Sequence, residues 1–137
     1  MSIQEAYLVM YNILNDYYFQ ESDNHYLASL LSDMDSNVFM DKMSADPATY
    51  FDWLSCVERY IVNEEIKDEN IILALRSFLR FYQQEFGYQL EDVIDYFDLK
   101  KEFIFGILEK NPLRYRSYKY DAETFSIFVL RVRSLCR

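Results

Sequence analysis

Apolar positions along this chain recur at spacings of three and four, the period of an amphipathic helix, and seldom at the spacing of two that marks a half-buried strand. The first run is Ile3, Tyr7, Met10, Leu14 and Tyr17, opened by Ser2 and Glu5 in the S-x-x-E pairing that caps a helix N-terminus. A helix over 3–19 is predicted. After the polar stretch 20–24, Tyr26 or Leu27 with Leu30, Leu31 and Met34 gives a short second helix, ended by Asp35-Ser36-Asn37. A loop then runs through Asp46.

Asp46-Pro47 is a start signal, because the Asp side chain can accept from free backbone N–H groups and Pro in the first turn loses no needed donor. From Pro47, Tyr50, Trp53, Leu54, Val57 and Ile61 make one stripe, with Asp52, Ser55 and Arg59 toward water. Asp68 is the cap candidate for a fourth helix, whose face is Ile71, Ile72, Leu75, Phe78, Leu79, Tyr82 and Phe86. Gly87 closes it as a C-cap. A fifth helix, Glu91 to Lys110, has two apolar rows: Val93, Ile94, Phe97, Ile104 and Leu108 on one, Tyr96, Leu99, Phe103 and Ile107 on the other. A helix apolar on two sides is covered on two sides.

The expected cover for the second row is the C-terminal segment, where Asp121 can cap and Phe125, Phe128, Val129, Val132, Leu135 and Cys136 share a helical stripe. A hairpin of 114–120 with 125–133 is the alternative. The chain therefore reads as one all-α domain over 1–137, a bundle of five or six helices. Its core is expected in the third to fifth helices, with the C-terminal segment docked across the fifth.

Composition narrows the picture. Only two Gly and two Pro occur in 137 residues, too few for the turns of a sandwich or barrel, and 25 aromatics supply too much apolar surface for a disordered chain. The longest charge-free stretch, Ala6 to Asn15, is too short to span a bilayer, and no basic residue precedes Lys42, so neither a membrane span nor a secretory leader is expected. Cys56 and Cys136 lack metal or redox spacing and read as buried, reduced thiols of a cytoplasmic protein, with a long-range disulfide as the alternative. Charge is unevenly spread. Residues 1–109 hold 7 basic and 21 acidic side chains, a net of −14, whereas 110–137 hold 7 basic and 2 acidic, a net of +5. The basic segment is expected to pack on the acidic body; binding a separate ligand is its alternative use.

Few residues carry the marks of chemistry. Asp33, Asp35, Asn37 and Asp41 occupy positions 1, 3, 5 and 9 of a calcium-loop template, but Val38 stands where the turn needs glycine and Ser44 where a bidentate Glu closes the shell. The lone histidine, His25, could pair with Cys56 only if the fold joined them. Phosphate-loop, dinucleotide-binding and hydrolase motifs are missing, so no catalytic residue, metal or cofactor is assigned. Arg114, Arg116 and Lys119 alternate with Tyr115, Tyr118 and Tyr120 in a manner compatible with nucleic acid, but the acidic body repels a polyanion.

The stronger pattern is acidic and aromatic. Asp33, Asp35, Asp41, Asp46 and Asp52 are opposed locally by Lys42 alone and interleaved with Phe39, Tyr50, Phe51 and Trp53. Aromatic side chains anchor binding patches and clustered carboxylates steer basic partners. Asp33, Asp35, Asp41, Asp46, Tyr50, Phe51 and Asp52 are therefore the candidate partner-binding residues, while the regular stripe through Trp53 reads as core.

The run LLSDMDSNVFMDKMSADPATYFDW, Leu30 to Trp53, resembles a motif of small acidic bacterial proteins, of approximate form L-L-S-D-M-x-x-x-x-F-x-D-G-x-S-A-D-P-A-x-x-x-D-W. It is carried here by Leu30, Leu31, Ser32, Asp33, Met34, Phe39, Asp41, Ser44, Ala45, Asp46, Pro47, Ala48, Asp52 and Trp53, with Lys42 in the place of the glycine. Some such proteins resemble the immunity proteins that accompany polymorphic or contact-dependent toxins. The resemblance implies a non-catalytic module that neutralises a basic toxin domain. The competing expectations are a metal-dependent or nucleic-acid-linked regulator, or an enzyme using the Asp33–Asp41 carboxylates, and the tyrosine-rich faces could also form a homodimer seam.

Overall fold

Five helices follow one another in the predicted order in a computed structural model, which describes residues 1–35, 44, 46–111 and 115. They are α1 (Ile3–Glu21), α2 (His25–Met34), α3 (Pro47–Val57), α4 (Ile71–Phe86) and α5 (Glu91–Lys110). The architecture is all-α. Between α3 and α4 lie a 3-10 turn at Glu58–Tyr60, an antiparallel ribbon of β1 (Ile61–Val62) and β2 (Glu65–Ile66), and a second 3-10 turn at Asp68–Asn70.

Helix ends obey local chemistry. The Ser2 hydroxyl accepts from the Glu5 N–H at 3.1 Å, and the Asn24 side chain accepts from the N–H groups of Tyr26 and Leu27 at 2.9 and 3.2 Å. The Asp46 carboxylate accepts from Ala48 N–H at 3.0 Å, with Pro47 behind it in the first turn. Gly87 ends α4 in the left-handed region at φ 69°, its N–H donating to the Gln83 carbonyl and that of Tyr88 to Tyr82. That paired closure requires a positive φ that glycine adopts without Cβ strain.

Three expectations are corrected. The third helix stops at Val57, not at Ile61, because Asn63 and Glu64 take φ of 53° and 63° and fold the chain into a hairpin pairing Ile61 with Ile66. The N-terminus completes this ribbon: the Met1 ammonium donates to the Ile66 carbonyl and the Ile66 N–H to the Met1 carbonyl, both at 2.9 Å. Asp68 is not the cap of α4; it opens the preceding 3-10 turn, and Asn70 stands at the α4 N-cap without a side-chain bond.

The third correction concerns the core, which centres on α1 and not on the third to fifth helices. From Val9 to Asn15 every residue of α1 is buried, so two turns are enclosed on all sides. Trp53 of α3 reaches this axis, fully buried, with its indole N–H directed at the Met10 sulfur at 3.0 Å and its ring edge-on to Tyr7 at 5.2 Å. The Tyr7 hydroxyl donates to the Met34 carbonyl at 2.6 Å. These contacts tie α2 and α3 to α1, and α4 packs against α3, where the Tyr82 hydroxyl donates to Asp52.

The first row of α5 is buried as predicted, with Val93, Ile94, Phe97, Ile104 and Leu108 all in the core. In the second row Leu99 and Phe103 stand 82% and 68% exposed, while Tyr96 and Ile107 are half-buried. Tyr115 is buried, its carbonyl accepting from the Asn12 side-chain amide at 2.9 Å. The expected docking of the C-terminal segment, its helix-or-hairpin alternatives and Cys136 lie outside the described residues.

Candidate functional site

The last turn of α2 and the first of α3 meet where the Asp46 N–H donates to the Asp33 carbonyl at 3.1 Å. Ser44 knits the junction from beneath. It is buried, its hydroxyl donates to the Asp46 carbonyl, and its oxygen accepts from the Tyr50 N–H at 3.2 Å. The charge of Asp46 is thereby brought within reach of the Asp33 carboxyl. Burial and then the charge of Asp46 push the Asp33 carboxyl above its ordinary value. Among the described residues neither carboxylate has an ion-pair partner.

The other candidates separate according to exposure. Asp46 is exposed, and Phe51, one turn along α3, is 65% exposed despite being a large aromatic. Tyr50 is half-buried, stacked on Trp53 at 5.8 Å and edge-on to Tyr7 at 5.1 Å, so it belongs half to the core. Asp52 is half-buried and accepts from the Tyr82 hydroxyl at 3.2 Å, which ties α3 to α4. Asp35 is 1% exposed and is no surface charge. Asp41, Asn37 and Phe39 lie outside the described residues. Asp33 and Asp46 are thus brought near each other, Phe51 is exposed on α3, and Tyr50 and Asp52 are half-buried.

No group of three His, Cys, Asp or Glu side chains among the described residues could hold a metal ion. His25, at the start of α2, and Cys56, on α3, line different clefts. Burial and the nearby Asp52 raise the Cys56 thiol to about 11, so it stays protonated at neutral pH.

A second feature escaped the sequence reading. Arg59, exposed as expected, also meets Arg76 and Arg80 around a cleft of about 610 Å³ between α3 and α4. Arg76 and Arg80 are one helical turn apart, a spacing legible in sequence, but nothing in the sequence tied Arg59 to them. Arg76 pairs with Asp98 at 3.6 Å and Arg80 with Glu91 at 2.8 Å, both across to α5. Hydrogen bonds from Gln83 and Arg80 lower the Glu91 carboxyl below its ordinary value.

No family model, curated protein or solved structure matches this chain. Among the described residues no helix is long and apolar enough to cross a membrane.

Proposed function

We propose that this protein is a non-catalytic binding module whose acidic surface at the α2–α3 junction captures a basic protein, and that the client is a toxin domain held inactive by the contact. One observation carries the reading: Asp33 lies within reach of the Asp46 charge with no ion-pair partner for either among the described residues, and α3 leaves the Phe51 ring 65% exposed. The charge of exposed Asp46 bears on half-buried Asp33, and a guanidinium docking between them would relieve that repulsion while making charge-assisted hydrogen bonds. Phe51 supplies the apolar anchor that converts steering into residence. The net charge of −9 accelerates encounter with a basic partner and discourages an acidic one.

The test uses tagged protein and a double variant, Asp46→Asn with Phe51→Ala. Asn retains the oxygen that caps α3, so the charge is removed without uncapping the helix. Wild-type protein is expected to retain one basic protein stoichiometrically from lysate of its source, released by rising salt, whereas the variant retains little. Co-expression with that partner should then restore growth of cells the partner arrests. Equal capture by both forms would refute the assignment of the surface, and a partner harmless to cells would refute the toxin.

A further inference from the structure

We infer that the cleft between α3 and α4 is a binding site for a small organic anion, a phosphate monoester or carboxylate carried on a flat apolar body. Residues 1–109 hold 21 acidic side chains and three arginines; all three arginines line this cleft, and none of its described lining residues is acidic. A random draw from so acidic a surface would place carboxylates in the wall. At about 610 Å³ the cleft lies within the range of small-molecule sites.

The guanidiniums are not equivalent. Arg76 and Arg80 are held by Asp98 and Glu91, which orient them and partly neutralise them. Arg59 has no carboxylate partner among the described residues: its Nη2 donates to the Tyr60 hydroxyl at 2.8 Å and to the Ser77 hydroxyl at 2.9 Å, and its guanidinium lies 4.9 Å from the centre of the Tyr60 ring. Its other N–H groups have no partner among the described residues. A guanidinium offers five donors in a planar fork suited to phosphate or carboxylate, so Arg59 is the primary ligand and Ser77 an additional donor. Phe81 and Leu73 supply the apolar wall. The ligand is small for an electrostatic reason. A polyanion such as nucleic acid would extend over the acidic body and be repelled, while a compact anion meets only the arginines.

Titration of isotope-labelled protein with phenyl phosphate, benzoate and inorganic phosphate, followed through the arginine Nε–Hε resonances, tests the assignment. Phenyl phosphate or benzoate should saturate with the Arg59 signal shifting most, and whichever binds more tightly identifies the head group. Inorganic phosphate, lacking the ring, should bind more weakly than phenyl phosphate. Arg59→Ala should weaken binding tenfold or more with an unchanged circular dichroism spectrum. Ser77→Ala should produce a smaller loss, and Lys100→Ala, on α5 outside the cleft, none. Failure of both aromatic anions to saturate at millimolar concentration would overturn the proposal. So would equal weakening by Lys100→Ala and Arg59→Ala, which would mark diffuse attraction in place of a site.

Discussion

The Asp46 N–H donates to the Asp33 carbonyl at 3.1 Å, which ties the end of α2 to the start of α3. Burial, and then the charge of Asp46 brought near by folding, push the Asp33 carboxyl above its ordinary value. Ionised Asp33 therefore costs stability in the free protein.

Asp33→Asn should accordingly stabilise the isolated protein at neutral pH while weakening partner capture. The sign follows from linkage. A raised folded pKa means the stability of the protonated form is present below the unfolded value and lost as pH rises through the folded one. The advantage of the Asp33→Asn variant over wild type should therefore be full at neutral pH and vanish as pH falls below the ordinary carboxylate range. Urea denaturation at several pH values measures it. A stability difference independent of pH would show that Asp33 carries no electrostatic penalty.

Tyr7 offers a different test, because its ring and its hydroxyl do separate things. The ring packs edge-on against Tyr50 and Trp53, and the hydroxyl satisfies the buried Met34 carbonyl at 2.6 Å. Tyr7→Phe keeps the first and removes the second, leaving a buried acceptor at a cost of about 1–3 kcal/mol. Trp53 fluorescence in the folded state should stay as it is. A loss well below this range would mean that water reaches the end of α2.

Much of the architecture was legible in the sequence, for reasons that particular residues make plain. Ser2, Asp46-Pro47 and Gly87 act through side-chain or backbone chemistry local to a helix end, so their neighbours alone reveal them. The hairpin at Ile61–Ile66 was not legible, since Asn63-Glu64 lacks the glycine that usually announces a turn with positive φ. The centrality of α1 was half visible: its charge-free stretch from Ala6 to Asn15 is too short for a bilayer and marks instead a helix enclosed by others. At the site, residue type pointed to the acidic and aromatic surface, but exposure decided membership. Asp35 and Phe51 look equally available in sequence, and the fold buries one and exposes the other.

Gly87 is the one glycine in this chain held at positive φ, at 69°, among the described residues. A Cβ added there would meet nothing within 4 Å, so any penalty for Gly87→Ala comes from the backbone alone. The left-handed conformation costs an L-residue about 1–2 kcal/mol, partly offset by the lower entropy of the unfolded alanine chain. Thermal melts should register a net loss of about 1 kcal/mol. Gly87→Asn, which tolerates this region better, should lose less.

The second row of α5 decides whether the basic segment folds onto the acidic body. Tyr115 is already anchored: buried, and accepting from the buried Asn12 amide, it lines a cleft together with Phe103 and Ile107. That anchor stands close to the row containing Leu99 and Phe103, and the net positive charge of the segment suits an acidic surface. The proximity of this anchor predicts that Leu99 and Phe103 are covered in solution. Leu99→Gln with Phe103→Gln preserves helix propensity, so it isolates apolar burial. Covered side chains would lose on the order of 2 kcal/mol or more together, whereas solvent-facing ones would stay within about 0.5 kcal/mol of wild type. The expected result is the larger loss, read from urea denaturation. A near-neutral double variant would show that Leu99 and Phe103 face solvent.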